Sequence, residues 1–214
     1  MLGLIGKKIG QLRVYDAKGR SIGVTAVLAG PNRVVQCKTP EIDGYKSVQL
    51  GFGEQKESRL SKARQGHLKK YQADPVVRLR EFRNFPLEVK PGDVLSVDVF
   101  AQGDIVDAIG VTKGKGFQGV VRRWKFGGGN ASHGQKGWLR RPGAIGNRST
   151  PGLVVRGKKL PGHMGRDQRT SQSLEVIQVR KEDNLLLIKG AIPGANGDYV
   201  VIRESRKYPK TGKK

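Results

Sequence analysis

Between residues 113 and 170 the chain interleaves cations with aromatic rings and almost leaves out acids. Trp124, Phe126 and Trp138 alternate with Arg122, Arg123, Lys125, Lys136, Arg140 and Arg141. Guanidinium groups grip phosphate oxygens in a two-pronged fork, and aromatic faces stack on exposed bases. The chemistry within reach of this stretch is the binding of nucleic acid. It holds fourteen Lys/Arg, fourteen Gly and a single acid, Asp167, whereas the rest of the chain carries twenty-seven Lys/Arg against seventeen acids. A quarter of the sequence thus supplies +13 of the formal +23. A segment so charged repels itself and has too few bulky apolar groups for an ordinary core of its own. A dense polyanion neutralises it. The glycines let the backbone approach a surface closely, so the stretch reads as an arm that becomes fully ordered against RNA or DNA.

The candidate contacts in the arm are Lys113, Lys115, Arg122, Arg123, Trp124, Lys125, His133, Lys136, Arg140, Arg141, Arg148, Arg156, Lys158, Lys159, His163 and Arg166. Arg140 and Arg141, beside Pro142-Gly143, are favoured most, since nothing acidic nearby could pair with them. For Trp124 two roles stand open, stacking on a base or anchoring the arm's root; Phe117, Val120 and Val121 read as anchors. His133 and His163 either meet RNA or support the loop. Gly114-Lys115-Gly116-Phe117-Gln118-Gly119 matches G-x-G-x-x-G, but no acid lies between Gly119 and Asp167, so the dinucleotide reading fails. No Cys or His pair has zinc spacing, and Asp167 has no carboxylate partner within the arm. No metal, cofactor or small-molecule substrate is expected.

The chain's 214 residues, 36% of them hydrophobic, suffice for one modest core outside the arm. No apolar run of 18 residues is present, which argues against a membrane helix. Glycine breaks up the basic stretch, which argues against an amphipathic membrane-surface helix. The opening is not laid out as a signal peptide, and the lone Cys37 cannot build a disulfide framework. A cytoplasmic setting is expected.

The elements that must position the arm read mostly as β. Strands are expected at Gln11–Tyr15, Ile22–Leu28, Arg33–Lys38, Ser47–Phe52, Val76–Phe82, Val94–Phe100 and Ile105–Val111, with turn residues between them. Ser58 to Tyr71 reads as a short helix weakened by Gly66. After the arm, Leu174–Arg180, Leu185–Ile188 and Tyr199–Ile202 are further strands; the continuous Leu185-Leu186-Leu187-Ile188 suggests burial on both faces. The basic tail from Arg206 to Lys214 reads as mobile. Strands flank the arm, so the two halves most simply close into one sheet or barrel, with the arm leaving between neighbouring strands.

Several motifs form an ordered set: Thr112 to Gly119, Arg123-Trp124, Ser132-His133-Gly134, Arg141-Pro142-Gly143, Thr150-Pro151-Gly152, and Gly157-Lys158-Lys159 with Gly162-His163-Met164-Gly165. With the opening Gly3 to Gly10 and the late Asn184 to Gly194, they closely resemble the universal large-subunit ribosomal protein L-three family, bacterial type. The resemblance spans essentially the whole chain. It implies a mainly β fold with a small α component: a translation-protein-type β-barrel body (residues 1–112 and 171–214), a small, partly helical insertion at 55–95, and a long finger at 113–170. It also implies that the finger penetrates 23S-type rRNA toward the peptidyl transferase centre, that the family acts early in subunit assembly, and that proteins of the L-fourteen and L-nineteen families are neighbours. Some bacterial members carry an N5-methylated Gln at the finger tip; Ser149 occupies that position here, so no such methylation is expected.

The reading is a structural rRNA-binding protein, not an enzyme. An RNA-modifying enzyme would need a cofactor loop or an acid/base pair, and a DNA-bending protein a recognition helix or strand ribbon.

Overall fold

The computed structural model describes residues 1–208; of the tail expected to be mobile, residues 209–214 lie outside the described part. In chain order the elements are β1 (Gly3–Tyr15), β2 (Ser21–Leu28), β3 (Asn32–Lys38), α1 (Pro40–Asp43), β4 (Ser47–Glu54), α2 (Lys62–Lys70), β5 (Val76–Arg83), β6 (Val94–Leu95), β7 (Ile105–Val111), β8 (Phe117–Gln118), α3 (Val120–Trp124), β9 (Gly162–His163), β10 (Gln168–Arg180), β11 (Leu185–Lys189) and β12 (Tyr199–Glu204). Six strands close a barrel in the order β1-β12-β7-β10-β11-β2, every neighbouring pair antiparallel. A second sheet runs β5-β4-β3-β6. By its contacts the chain divides into two compact units, Met1–Val111 with Gln168–Lys214, and Thr112–Asp167.

The largest core cluster of the first unit joins the barrel to the second sheet. From the barrel come Leu4, Ile5, Val27, Val106, Leu186 and Ile202; from the second sheet come Val34, Leu50, Phe52 and Phe82. β4 owes its place to strict alternation, with Val48, Leu50 and Phe52 all turned into this core. β11 is buried on both faces, as its apolar run predicts: Leu186 and Ile188 join the main core, while Leu187 packs with Val24 and Ala26 in another cluster.

Besides β10, which begins at Gln168 rather than Leu174 because residues 168–171 pair with β7, three elements differ from the sequence expectation. β1 begins at Gly3, not Gln11. Its glycines and Lys7-Lys8 mask a strand whose pairing with β2 shifts between Lys8 and Gly10. There Lys8 is buried and Ile9 exposed, the reverse of their polarity; the Lys8 ammonium donates to the carbonyls of Ile192 at 2.7 Å and Gly194 at 3.0 Å. Val94–Phe100 is not one strand: after Val94–Leu95 the chain turns through a 3-10 segment, Val97–Val99. Val97 and Phe100 both reach the core, and their three-residue separation suits one tight turn as well as it suits a strand edge. The expected helix over Ser58–Tyr71 is split by extended backbone at Leu60 and Ser61 into a 3-10 turn, Glu57–Arg59, and α2. That break lets Leu60 and Leu68 cover Val35 and Val76 together.

Two polar groups hold the first unit where ladders end. The β1–β2 register ends at Lys7↔Leu28, and the buried Asn32 carboxamide takes over beyond it. Its Oδ1 accepts from the Ile5 amide at 3.0 Å, and its Nδ2 donates to the carbonyls of Ile5 and Ala29, each at 3.0 Å. Asp107, buried in β7, accepts from the Ser173 amide at 3.0 Å, where β10 slips register between Ser171 and Leu174. On the second sheet, Lys38 Nζ lies 2.7 Å from a Glu81 oxygen and Tyr45 donates to the other at 2.9 Å. The hydrogen bond from Lys38 is the main reason that the Glu81 carboxyl titrates below its ordinary value.

Asn32→Leu strands three buried backbone groups and is expected to cost about 3 kcal/mol, read as a lower urea midpoint at unchanged m. Glu81 is depressed in the folded state, so its contribution is present above the ordinary carboxylate range and lost as pH falls through it. Glu81→Gln is expected to lower the melting temperature by about 2–4 °C at neutral pH. That difference should close when the comparison is repeated between about pH 5 and pH 3.

Candidate nucleic-acid interface

The second unit is the chain between the paired strands β7 and β10, which meet at Gln168↔Val111. Its two limbs start as a narrow ladder. Thr112 N donates to Asp167 O at 2.9 Å, Arg166 N to Thr112 O at 3.1 Å, Lys115 N to Met164 O at 2.8 Å and Met164 N to Gly116 O at 2.9 Å. β8 and β9 continue it, pairing Phe117 with His163 and Gln118 with Gly162. Gly165 makes the approach possible. It sits at φ +79°, and a Cβ there would fall 2.2 Å from the Lys113 carbonyl oxygen.

Above the ladder α3 turns one limb back across the other. Val120 is buried, and the helix ends where Lys125 adopts φ +64° and donates to Val121 O. Arg123 and Trp124 both reach the opposite limb: Arg123 Nη1 and Trp124 Nε1 donate to the single carbonyl of Leu160, at 2.7 and 2.9 Å. The Arg123 guanidinium lies 4.9 Å from the Trp124 ring centre and Lys159 Nζ 5.9 Å. Trp124 therefore clamps the limbs by its indole edge while its ring carries cations. Of the two roles left open for it, the edge serves the anchor, and the ring, 39% exposed, remains reachable.

Farther out, residues 125–161 hold no helix or strand. Glycine takes over the packing: Gly129 N donates to Leu139 O at 3.1 Å, and a Cβ on Gly128 would fall 2.1 Å from that same oxygen. Arg141 lies 4.7 Å from the Trp138 ring centre. At the far loop Gly146 approaches Leu153 O, and Ser149 precedes the Pro151-Gly152 turn.

Every candidate contact residue is exposed except Arg123, which is half-buried. Lys113, Lys115, His163 and Arg166 lie on the ladder; Arg122, Arg123, Trp124 and Lys125 on or just after α3; Lys158 and Lys159 on the facing limb; His133, Lys136, Arg140, Arg141, Arg148 and Arg156 in the outer loops. Among the described residues, none of the ion pairs involves a cation of residues 112–167. Several apolar side chains out here are exposed too, among them Phe117, Trp138, Leu153 and Val155. Leu160 is not legible as a hub from residue types, because a backbone carbonyl carries no residue signature. Gln135 has no such signature either; its amide nitrogen is buried with no hydrogen-bond partner.

A closed β-barrel joined to a polycationic arm that lacks counter-charge of its own is the build of a ribonucleoprotein component. The family model for ribosomal protein L3 matches residues 81–185, a span that includes the whole arm. The chain is 51% identical to the large ribosomal subunit protein uL3 of Deinococcus radiodurans, over 97% of this chain and 96% of that protein. It is 46% identical to the proteins of the same name from Pseudomonas fluorescens Pf0-1 and Pseudomonas syringae pv. tomato, over 96% of this chain and 98% of each. The chain belongs to the ribosomal protein L3 family, the large ribosomal subunit proteins uL3.

Gly165→Ala is expected to open the ladder at the arm's root, since both the positive φ and the space exclude a methyl group. Residues 112–167 should then be nicked by trypsin several-fold faster, while the melting temperature of the barrel unit stays within a degree or two.

Proposed function

We propose that the chain is a structural constituent of the large ribosomal subunit that binds 23S-type rRNA through residues 113–170 and has no enzymatic role. The observation that carries this reading is the arm's chemistry. Thirteen Lys/Arg lie between residues 112 and 167 against one acid, and their charge is matched by no internal ion pair among the described residues. The cations neutralise phosphates that would repel one another where RNA segments converge. Each such contact releases counterions, so affinity falls steeply with salt. The glycine turns fit narrow crevices, and recognition rests on RNA shape and unpaired bases. The arm's outer loops, with one buried side chain between them and the root, reach full order on binding.

The L3 family resemblance adds the finer parts of the proposal. The protein joins the subunit early in assembly, in the cytoplasm. Its finger supports rRNA near the peptidyl transferase centre, and its neighbours come from the L-fourteen and L-nineteen families. Any influence on peptide-bond formation is indirect, through RNA held in place. With Ser149 at the tip, no methyl-Gln is formed there.

Arg140, Arg141, Arg148 and Arg156 lie in the outermost loops and are assigned the deepest phosphate contacts. Replacing all four by Ala should reduce the log–log salt slope for a large-subunit rRNA fragment by roughly three, at 0.7–0.9 per contact, and abolish the preference for that fragment over duplex DNA. An unchanged slope and preference would sink the assignment of the arm as the RNA-binding element.

A further inference from the structure

The outer arm contains a concavity of about 570 Å³ whose walls include Phe126, Gly127–Gly129, Gln135, Trp138 and Arg141. Its size falls within the range of small-ligand sites, roughly 300–1,000 Å³. Two features set it apart from the rest of the arm. First, its lining holds only one cation, Arg141, in a unit with thirteen Lys/Arg; a seat for phosphate alone would be lined with positive charge. Second, it carries aromatic surface. Trp138 is 55% exposed and has Arg141 against its ring at 4.7 Å, and Phe126 is half-buried beside it.

The floor is built rather than incidental. Gly128 and Gly129 pack their backbone against the carbonyls of Leu139 and Trp138, so closely that a Cβ would fall 2.1 and 3.1 Å from those oxygens. Gly129 N donates to Leu139 O and Arg141 N to Trp138 O, at 3.1 and 3.2 Å. These contacts fix the two walls that carry Trp138 and Arg141.

We propose that this concavity seats one unpaired nucleotide of the bound RNA. The base stacks on Trp138, and Arg141 meets the adjoining phosphate. A purely anionic ligand would leave the aromatic wall unused. The proposal rests on the RNA-binding reading of the arm and specifies one position within it.

The chain has two tryptophans, so Trp124→Phe leaves Trp138 as sole reporter. The probes are a fluorescein-labelled single-stranded oligouridylate, a blunt RNA duplex and inorganic polyphosphate, added to the full-length W124F chain. Anisotropy and competition report binding, and tryptophan emission reports stacking. The single strand is expected to quench Trp138 saturably by at least half, while duplex and polyphosphate compete for the arm with little quenching. Adding Gly128→Ala keeps every charge and the fluorophore but forces apart the contact with Leu139 that forms the floor; it should abolish the quenching while retaining most charge-driven binding. Binding of the single strand without quenching, or quenching that survives Gly128→Ala, overturns the nucleotide seat and leaves the RNA-binding reading intact. Failure of every RNA to bind the unsubstituted chain overturns both.

Discussion

Like charge without an internal partner is the constraint from which the rest follows. Two unit charges 4 Å apart interact by about 1 kcal/mol even in bulk water, and by more near a protein surface. Residues 112–167 collect cations at a density that no side chain of that unit offsets, and Val120 is their only buried hydrophobic residue. Neither ion pairing nor an apolar core can therefore hold this unit together. What remains is the backbone, and the arm's geometry is a record of backbone solutions: a short ladder, carbonyl hubs, and glycines where two peptide groups must nearly touch. Counter-charge then has to come from outside, which ties the arm's physical problem to its proposed place against RNA.

Leu160 illustrates how little the arm uses to stay closed at its root. One carbonyl oxygen has two lone pairs, and Arg123 and Trp124 take both. The same two side chains stack with each other, so the guanidinium is oriented from two directions. An arginine in this position serves structure first; the exposed cations farther out have no such competing bond. Identical residue types thus divide by local partner, a distinction that charge counting alone does not make.

The barrel unit solves the opposite problem, with ample apolar surface and few charges to hide. Two of its buried polar groups sit where regular pairing stops, Asn32 beyond the end of the β1–β2 ladder and Asp107 at the slip in β10. Lys8 follows the same logic, its ammonium meeting carbonyls of the loop after β11. A register slip leaves backbone groups without their ladder partners, and a side chain that supplies donors or acceptors offsets the loss.

The sequence by itself determined where charge lies and which segments alternate. That was enough for the β class of the fold, for most strands, for the double burial of Leu185–Ile188 and for singling out the arm as the segment proposed to meet RNA. These properties are local: side-chain charge and two-residue periodicity are written in neighbouring residues. Tertiary structure decided the rest. Only pairing with β12 and β2 makes a strand of Gly3–Gly10, whose glycines and lysines have weak strand preference. Only the core's demand for Val97 and Phe100 together bends Val94–Phe100 into a turn. The two roles of Trp124 were separated by Leu160, thirty-six residues away, and the concavity beside Gln135 exists because Gly128 meets Leu139. Contacts between distant backbone atoms leave no trace in residue type, and in a unit with almost no core they are what sets the geometry.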